Sequence, residues 1–195
     1  MRGTRLFSQA ISEGDGISVI ADVDGPDAAR AAEAQGADGL VVRGRFDDVR
    51  AATDLPILWG ATGPLADARA AGADACLLVY ANHADDPERL ERLHAEALEL
   101  GLDCVVSVED EDELEAALER VDPEIFLLAG PAERAGDLEH ALVLLPDVPA
   151  GKLAIAEVMV SSPEDVAELE RAGVDAVIVG AGNVAELVGG APPGV

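Results

Sequence analysis

Lysine is nearly missing from this sequence: Lys152 is the only one among 195 residues, and every other basic side chain is Arg. Basic residues number 13 against 39 acidic ones, for a formal net charge of −26. A field of that sign repels phosphate polymers and anionic lipid surfaces, so neither nucleic acid nor a membrane is an expected partner. Aromatic residues make up only 3% of the chain, while 49% of it is apolar. A sizeable core is therefore expected, built from Ala, Val, Leu and Ile. Cys76 and Cys104 each sit within an apolar run. They read as small buried core residues rather than a disulfide, and no Cys–His spacing suggests zinc, so neither a metal nor a cofactor is expected. Nothing approaches the run of about 20 apolar residues that spans a bilayer. The stretch Met1 to Ser12 lacks the apolar segment of a secretory signal, so the expected location is the cytoplasm.

The acidic residues that are present spread along predicted helix faces and form no tail, which is the pattern of a solvated folded surface. Such a surface suits a halophilic protein, because a salty cytoplasm screens its self-repulsion. A GC-rich genome, which favours Ala, Gly, Arg and Asp, is the alternative source of the bias. Nearly continuous apolar runs begin near Ile17, Leu40, Ile57, Cys76, Cys104, Ile125, Leu153 and Ala176. Runs of this kind mark parallel strands buried on both faces. Helical stripes fill the gaps, as in Leu90, Leu93, Ala97 and Leu100, or Leu114, Ala117, Leu118 and Val121. Ser162-Pro163-Glu164-Asp165 supplies an N-cap, a proline at the first helical position and an acid at the third. Asp86-Pro87, Gly25-Pro26 and Gly63-Pro64 repeat the cap-then-proline signal. A helix-end signal recurs in Gln35-Gly36-Ala37-Asp38, Ala71-Gly72-Ala73-Asp74, Leu100-Gly101-Leu102-Asp103 and Ala172-Gly173-Val174-Asp175. Repeated βα units predict a single compact (β/α)₈ TIM barrel over 1–195 with trimmed loops, a short N-terminal segment at 1–15 and a loose tail at 189–195.

Several phrases then carry a family resemblance. Phe7-Ser8-Gln9-Ala10-Ile11 followed by Ile17-Ser18-Val19-Ile20-Ala21-Asp22-Val23 resembles the first barrel strand of indole-3-glycerol phosphate synthase and its approach. Ala68 to Val79, Leu98 to Leu114, and Ile155-Ala156-Glu157 through Ser162-Pro163-Glu164-Asp165-Val166 to Val179-Gly180 are similar to later parts of that family, in the same order. The resemblance implies a phosphate-binding barrel related to tryptophan biosynthesis. The family is a carbon–carbon lyase that closes the indole ring of a phosphorylated, anthranilate-derived substrate with loss of carbon dioxide and water. It uses a lysine general acid on the third strand and a glutamate on the fifth. At those positions this chain has Gly60 and Ser107. The first-strand Glu-Val-Lys is Asp22-Val23-Asp24, the sixth-strand Asn-Asn-Arg is Ala129-Gly130-Pro131, and the seventh strand keeps Glu157 but replaces Ser-Gly with Val158-Met159. The eighth strand keeps Gly180 and offers Gly182.

A general acid contributes about 10²- to 10⁴-fold in rate. Its loss together with its partners implies a homologue without the parent activity, acting as a ligand-binding or regulatory protein. Lys152 precedes the seventh strand, so it is expected at the opposite, stability face. One alternative is an active lyase or isomerase on a small phosphorylated substrate. Asp22 and Glu157 would be its candidate catalytic acid and base, and with Asp24 they would offer three carboxylates to a divalent cation. Another is an ordinary family member with its catalytic residues placed elsewhere. The mouth is expected to be lined by Asp24, Trp59, His83 and Ser107. Trp59 either stacks on a ring or fills space left by the lysine; His83 is either a base or a loop histidine. His94 and His140 fall in helices and are expected to be solvated. Gly180, Gly182 and Asn183 end the eighth strand and open a short helix over Val184 to Val188. They are the candidate phosphate cradle, against the alternative of a turn that simply closes the barrel.

Salt should stabilise this chain. The melting temperature is expected to rise as potassium chloride goes from low concentration to about 1 M, where the Debye length is about 3 Å. A flat or falling melting temperature would remove carboxylate repulsion as the controlling term.

Overall fold

The computed structural model describes residues 6–13, 16–44 and 48–188. Eight parallel strands close into a barrel: β1 (Ser18–Asp22), β2 (Gly39–Val42), β3 (Ile57–Trp59), β4 (Ala75–Val79), β5 (Asp103–Val108), β6 (Ile125–Ala129), β7 (Leu153–Glu157) and β8 (Ala176–Gly180). Each begins within one residue of the start expected from the apolar runs. The helices among the described residues are α1 (Phe7–Ser12), α2 (Pro26–Ala34), α3 (Val49–Ala52), α4 (Leu65–Ala71), α5 (Pro87–Glu99), α6 (Glu111–Arg120), α7 (Leu138–Leu144), α8 (Pro163–Ala172) and α9 (Val184–Leu187). None is long and apolar enough to cross a membrane.

Strand alternation divides the core in two. One set of side chains, including Ile20, Val41, Leu58, Val105, Leu127, Ile155 and Ile178, fills the barrel lumen. The other faces outward against the helices. Cys76 and Cys104 stand opposite each other on β4 and β5 in that outer layer, both buried and free. A thiol–thiol hydrogen bond with Cys76, then burial, hold the Cys104 thiol well above its usual pKa, which keeps it unreactive. Part of the segment expected at 1–15 is helical: α1 plugs the bottom of the barrel with Phe7 and Ile11, both buried against the lumen residues. Residues 1–5 and 14–15, and the tail expected at 189–195, lie outside the described residues.

The recurring helix-end phrase has two working parts. Its glycine takes left-handed backbone, as at Gly72 (φ 91°) and Gly173 (φ 102°), where α4 and α8 end. Its aspartate then accepts a main-chain N–H across the bottom of the barrel. Asp38 accepts from Val19 at 2.9 Å, Asp74 from Ile57 at 2.9 Å, and Asp175 from Ala154 at 2.8 Å. Each bond ties the strand after the junction to the strand before it. Asp103 uses the same geometry on Ser8 N–H at 2.7 Å and so holds the α1 plug. Helix starts follow the sequence signals at Ser162, whose hydroxyl caps α8 in a capping box with Asp165, and at Asp86, which accepts from Arg89 N–H. At Gly63-Pro64 the boundary shifts by one: Pro64 is the N-cap and α4 starts at Leu65.

Asp74 is the most enclosed of these aspartates, and it also meets the Arg50 guanidinium at 3.1 Å. Burial pushes its pKa above the ordinary 3.8, against the Ile57 N–H and Arg50, which pull it down. Its contribution to stability is therefore largest below pH 3.8 and falls as pH rises through the folded pKa. Replacing Asp74 by Ala strands a buried N–H and should cost about 1–3 kcal/mol in urea unfolding. Asp74→Asn keeps an acceptor for Ile57 without the buried charge and should cost clearly less. Equal losses for the two variants would show that the carboxylate charge, not the acceptor, is what the site needs.

Candidate functional site at the barrel mouth

Two residues beyond each lumen side chain, the same alternation aims the next residue into the C-terminal mouth. That ring reads Asp22, Arg43, Gly60, Val79, Ser107, Ala129, Glu157 and Gly180. Four of the eight are Gly, Ala or Ser, so the ring is wide and its charge is concentrated at three positions.

Those three are joined. Arg43, just past β2, donates through Nε to Asp22 Oδ2 at 3.1 Å and through Nη2 to Glu157 Oε1 at 2.6 Å. It thereby reaches from the second strand past the first and eighth to the seventh. All three side chains stay over a third exposed (Arg43 36%, Asp22 40%, Glu157 36%), so the bridge is wet and accessible from the mouth. Gly60 makes room for it. A Cβ there would lie 3.3 Å from Arg43 Cγ, so a side chain at the third-strand position would crowd the stem of Arg43.

Arg43 is not among the residues that the sequence analysis placed at the mouth. The signal was available: Val41 faces the lumen, and the residue two further on must face the mouth. Asp22, Glu157, Ser107 and the Gly180–Asn183 turn are brought to the mouth as expected. Other expectations are corrected. Trp59 does not line the mouth: Leu58 takes the lumen side, so Trp59 faces the helix layer and is only 7% exposed. Asp24 is exposed in the Val23–Gly25 connection, apart from the Arg43 bridge. The imagined cation site of Asp22, Asp24 and Glu157 is not formed; among the described residues no three His, Cys, Asp or Glu side chains gather to hold a metal. His83 closes a 3₁₀ turn (Tyr80–His83) after β4 and is buried. It lines a cavity of about 360 Å³ that takes in the ring residues Gly60 and Val79 together with Trp59, Asn82 and Arg89, and its Nδ1 has no hydrogen-bond partner among the described residues. His140 is half-buried rather than solvated, with a ring nitrogen 2.7 Å from the Glu109 carbonyl.

The mouth cavity is about 640 Å³ and is lined by Asp22, Glu157, Gly180, Ala129 and the loops after β6 and β7. Those loops pair with each other: Gly136 bridges Val158, and Met159 N–H donates to Gly136 O at 2.8 Å. Gly136 is left-handed (φ 78°), and a Cβ there would meet Met159 Cγ at 2.7 Å, so glycine is required for this pairing. At the β8 end, Gly180, Ala181, Gly182 and Asn183 form a turn of 3₁₀ type, and the helix that follows is one residue shorter than expected, Val184–Leu187. A cavity of about 740 Å³ beside Lys152 and Gly173 lies at the opposite face, where Lys152 Nζ pairs with Asp122 at 2.6 Å. That confirms Lys152 as a residue of the stability face.

The fold and this mouth define a (β/α)₈ barrel with a charged pocket at the carboxyl ends of its strands. The model of the indole-3-glycerol phosphate synthase family matches residues 62–185, most of the chain. The chain belongs to that family. An indole-3-glycerol phosphate synthase from Salinibacter ruber is 39% identical over 121 residues, 60% of this chain and 43% of the relative. Another, from Nocardioides sp., is 39% identical over 137 residues, 68% of this chain and 52% of the relative. The chain thus spans about half the length of these curated relatives. Solved barrels share the fold at low identity. The N-acetylmannosamine-6-phosphate 2-epimerase from Clostridium perfringens has a TM-score of 0.69 at 15% identity, over 88% of each chain. A tryptophan synthase alpha-subunit from Pyrococcus furiosus has 0.66 at 18% identity, over 87% of this chain and 89% of the other.

His83 gives this region a pH signature. Burial first, and the Arg89 charge second, push its pKa below the ordinary 6.5, with Asp86 opposing. Folding therefore favours the neutral ring. Its contribution to stability is present above pH 6.5 and is lost as pH falls through the folded pKa. An NMR titration of the His83 ring should give a midpoint below 6.5; a midpoint at or above it would mean the ring is solvated.

Proposed function

We propose that this family member no longer closes the indole ring and acts as a binding or regulatory barrel for a small phosphorylated ligand. The observation that carries the proposal is the composition of the mouth ring. Gly60 and Ser107 stand where the family resemblance expects the lysine acid and its glutamate. The one cation that the ring does have is Arg43, and a guanidinium does not give up its proton at ordinary pH, so it cannot serve as the general acid. It is also engaged by two carboxylates.

The phosphate end has a different argument. Gly180 has ordinary extended backbone (φ −61°), and a Cβ at Gly180 or Gly182 would meet nothing within 4 Å. The fold therefore does not require glycine at either place. Bare backbone with open space above it suits the close approach of an anion to main-chain N–H groups. The following helix contributes little, since it is a single turn and its Ala185 N–H donates to Gln35 Oε1 at 3.3 Å. The net charge of −26 opposes an anion. Arg43 offsets part of the local repulsion from Asp22 and Glu157. Millimolar affinity, about −4 kcal/mol, is the expected balance.

Purified protein given the phosphorylated anthranilate-derived substrate should form no indole-3-glycerol phosphate above background. Turnover on the order of 1 per second, ordinary for an enzyme, would overturn the proposal. Inorganic phosphate should shift the amide signals of Gly180 and Gly182. Gly182→Val should abolish those shifts and leave the melting temperature unchanged.

A further inference from the structure

We propose that the cavity between β3, β4 and the start of α5 binds a second ligand, a small aliphatic monocarboxylate, with Arg89 and His83 holding its carboxylate and leucine side chains holding its hydrocarbon body. The site lies across the barrel from Gly180 and shares no lining residue with the mouth cavity there, so the inference stands apart from the phosphate site.

His83 is the first sign of a ligand. It is only 9% exposed, it lines the cavity of about 360 Å³, and its Nδ1 is buried with no hydrogen-bond partner among the described residues. A polar ring buried in that state costs free energy that a bound group can recover. Arg89 is the second sign. Acids outnumber bases 39 to 13 in this chain, yet the Arg89 guanidinium meets no carboxylate among the described residues. The nearby acid, Asp86, is spent elsewhere: its Oδ1 accepts the Arg89 main-chain N–H at the start of α5, and its Oδ2 faces Arg92 at 3.7 Å. Arg89 is still close enough for its charge to bear on the His83 ring. An unspent cation and an unspent ring therefore share one wall of the cavity.

The rest of the wall sets the class of ligand. Arg89 and Leu93 stand one turn apart on α5, so one helix face carries both a cation and an apolar side chain over the cavity. Leu65 and Leu78, both buried, extend the apolar part. A carboxylate at one end and hydrocarbon at the other match that division. One guanidinium matches one negative charge. A phosphate dianion would bring a second into the field of −26 with nothing left to offset it. A branched chain fits better than a ring. Among the lining residues Trp59 alone is Phe, Tyr or Trp, and at 7% exposure it has too little free surface for a ring to stack on. Gly63 lies over its edge, where a Cβ would come within 3.1 Å of Cη2. Gly60, which leaves the third-strand ring position without a side chain, joins the cavity to the mouth.

The test compares 3-methylbutanoate with acetate, which lacks the branched chain, 3-methyl-1-butanol, which lacks the charge, and benzoate, which has a ring. Binding is read by NMR at the His83 ring and at the Trp59 indole N–H, which belongs to the only tryptophan of the chain. 3-Methylbutanoate should shift both signals, leave the Gly180 and Gly182 amides in place, and bind about tenfold tighter than each of the other probes. Arg89→Met should bring the acid down to the level of the alcohol. Arg89 is exposed, so this variant should keep the melting temperature of the parent. His83→Leu removes the unpartnered nitrogen; it should melt no lower than the parent and bind 3-methylbutanoate about tenfold more weakly. A His83 that only fills space would leave binding in that variant unchanged, and that result would remove it from the site. If 3-methylbutanoate moves neither Trp59 nor His83, or if Arg89→Met binds it as tightly as before, the proposal is overturned. Tighter binding of benzoate would overturn the aliphatic assignment in favour of a ring site. Shifts at Gly180 in place of Trp59 would put the acid in the phosphate site and overturn the second site. None of these results touches the phosphate reading, which inorganic phosphate tests separately.

Discussion

The barrel depends on carboxylates at the starts of its strands, two of them placed where a carboxylate is costly. Asp38, Asp74 and Asp175 sit at its bottom, and each accepts a main-chain N–H from the preceding strand. Burial pushes the pKa of Asp74 and Asp175 upward, which measures the desolvation penalty. The return is that an exposed strand end, with a backbone donor that a short αβ junction would otherwise leave unpaired, is tied to the next unit around the ring. With only 3% aromatic residues, the chain has few large side chains to bind one βα unit to another. A polar tie at three of the junctions does part of that work, and Asp103 adds one to the helix that plugs the lumen.

The mouth has been rebuilt around one bridge. Small residues stand at three ring positions where the family resemblance places larger polar groups, Gly60, Ser107 and Ala129, and Arg43 lies against the first of them. Its stem lies against Gly60 at a separation that a side chain there would invade. Gly60 and Arg43 are therefore coupled in packing. Charge follows the same logic. Arg43 is shared between two acids, so the bridge remains slightly negative and keeps unused acceptors on both sides.

Most of the fold was legible in the sequence, because its signals are local and repeated. Apolar runs located every strand start to within a residue, and four copies of a glycine–x–aspartate phrase located four αβ junctions. The site was legible only where the family resemblance pointed, at Asp22, Ser107, Glu157 and Gly180. Arg43 lay outside those positions, although strict alternation from Val41 would have aimed it at the mouth. The same alternation from Leu58 would have turned Trp59 outward. Asp24 failed for another reason: it follows the end of β1, where the period-two rule no longer governs direction. His83 belongs to a 3₁₀ turn, and nothing in Tyr80-Ala81-Asn82-His83 distinguishes that turn from an open loop.

The contact between Gly60 and Arg43 also bears on where this lineage can go next. Restoring lysine at position 60 alone would bring its Cβ within 3.3 Å of the Arg43 stem and set two cations side by side. Replacing Arg43 alone would leave Asp22 and Glu157 facing each other without a counter-ion. Each single substitution is thus opposed by the residue left unchanged. Positions 43 and 60 are thus coupled, and a side chain at position 60 is accommodated most easily when Arg43 changes too.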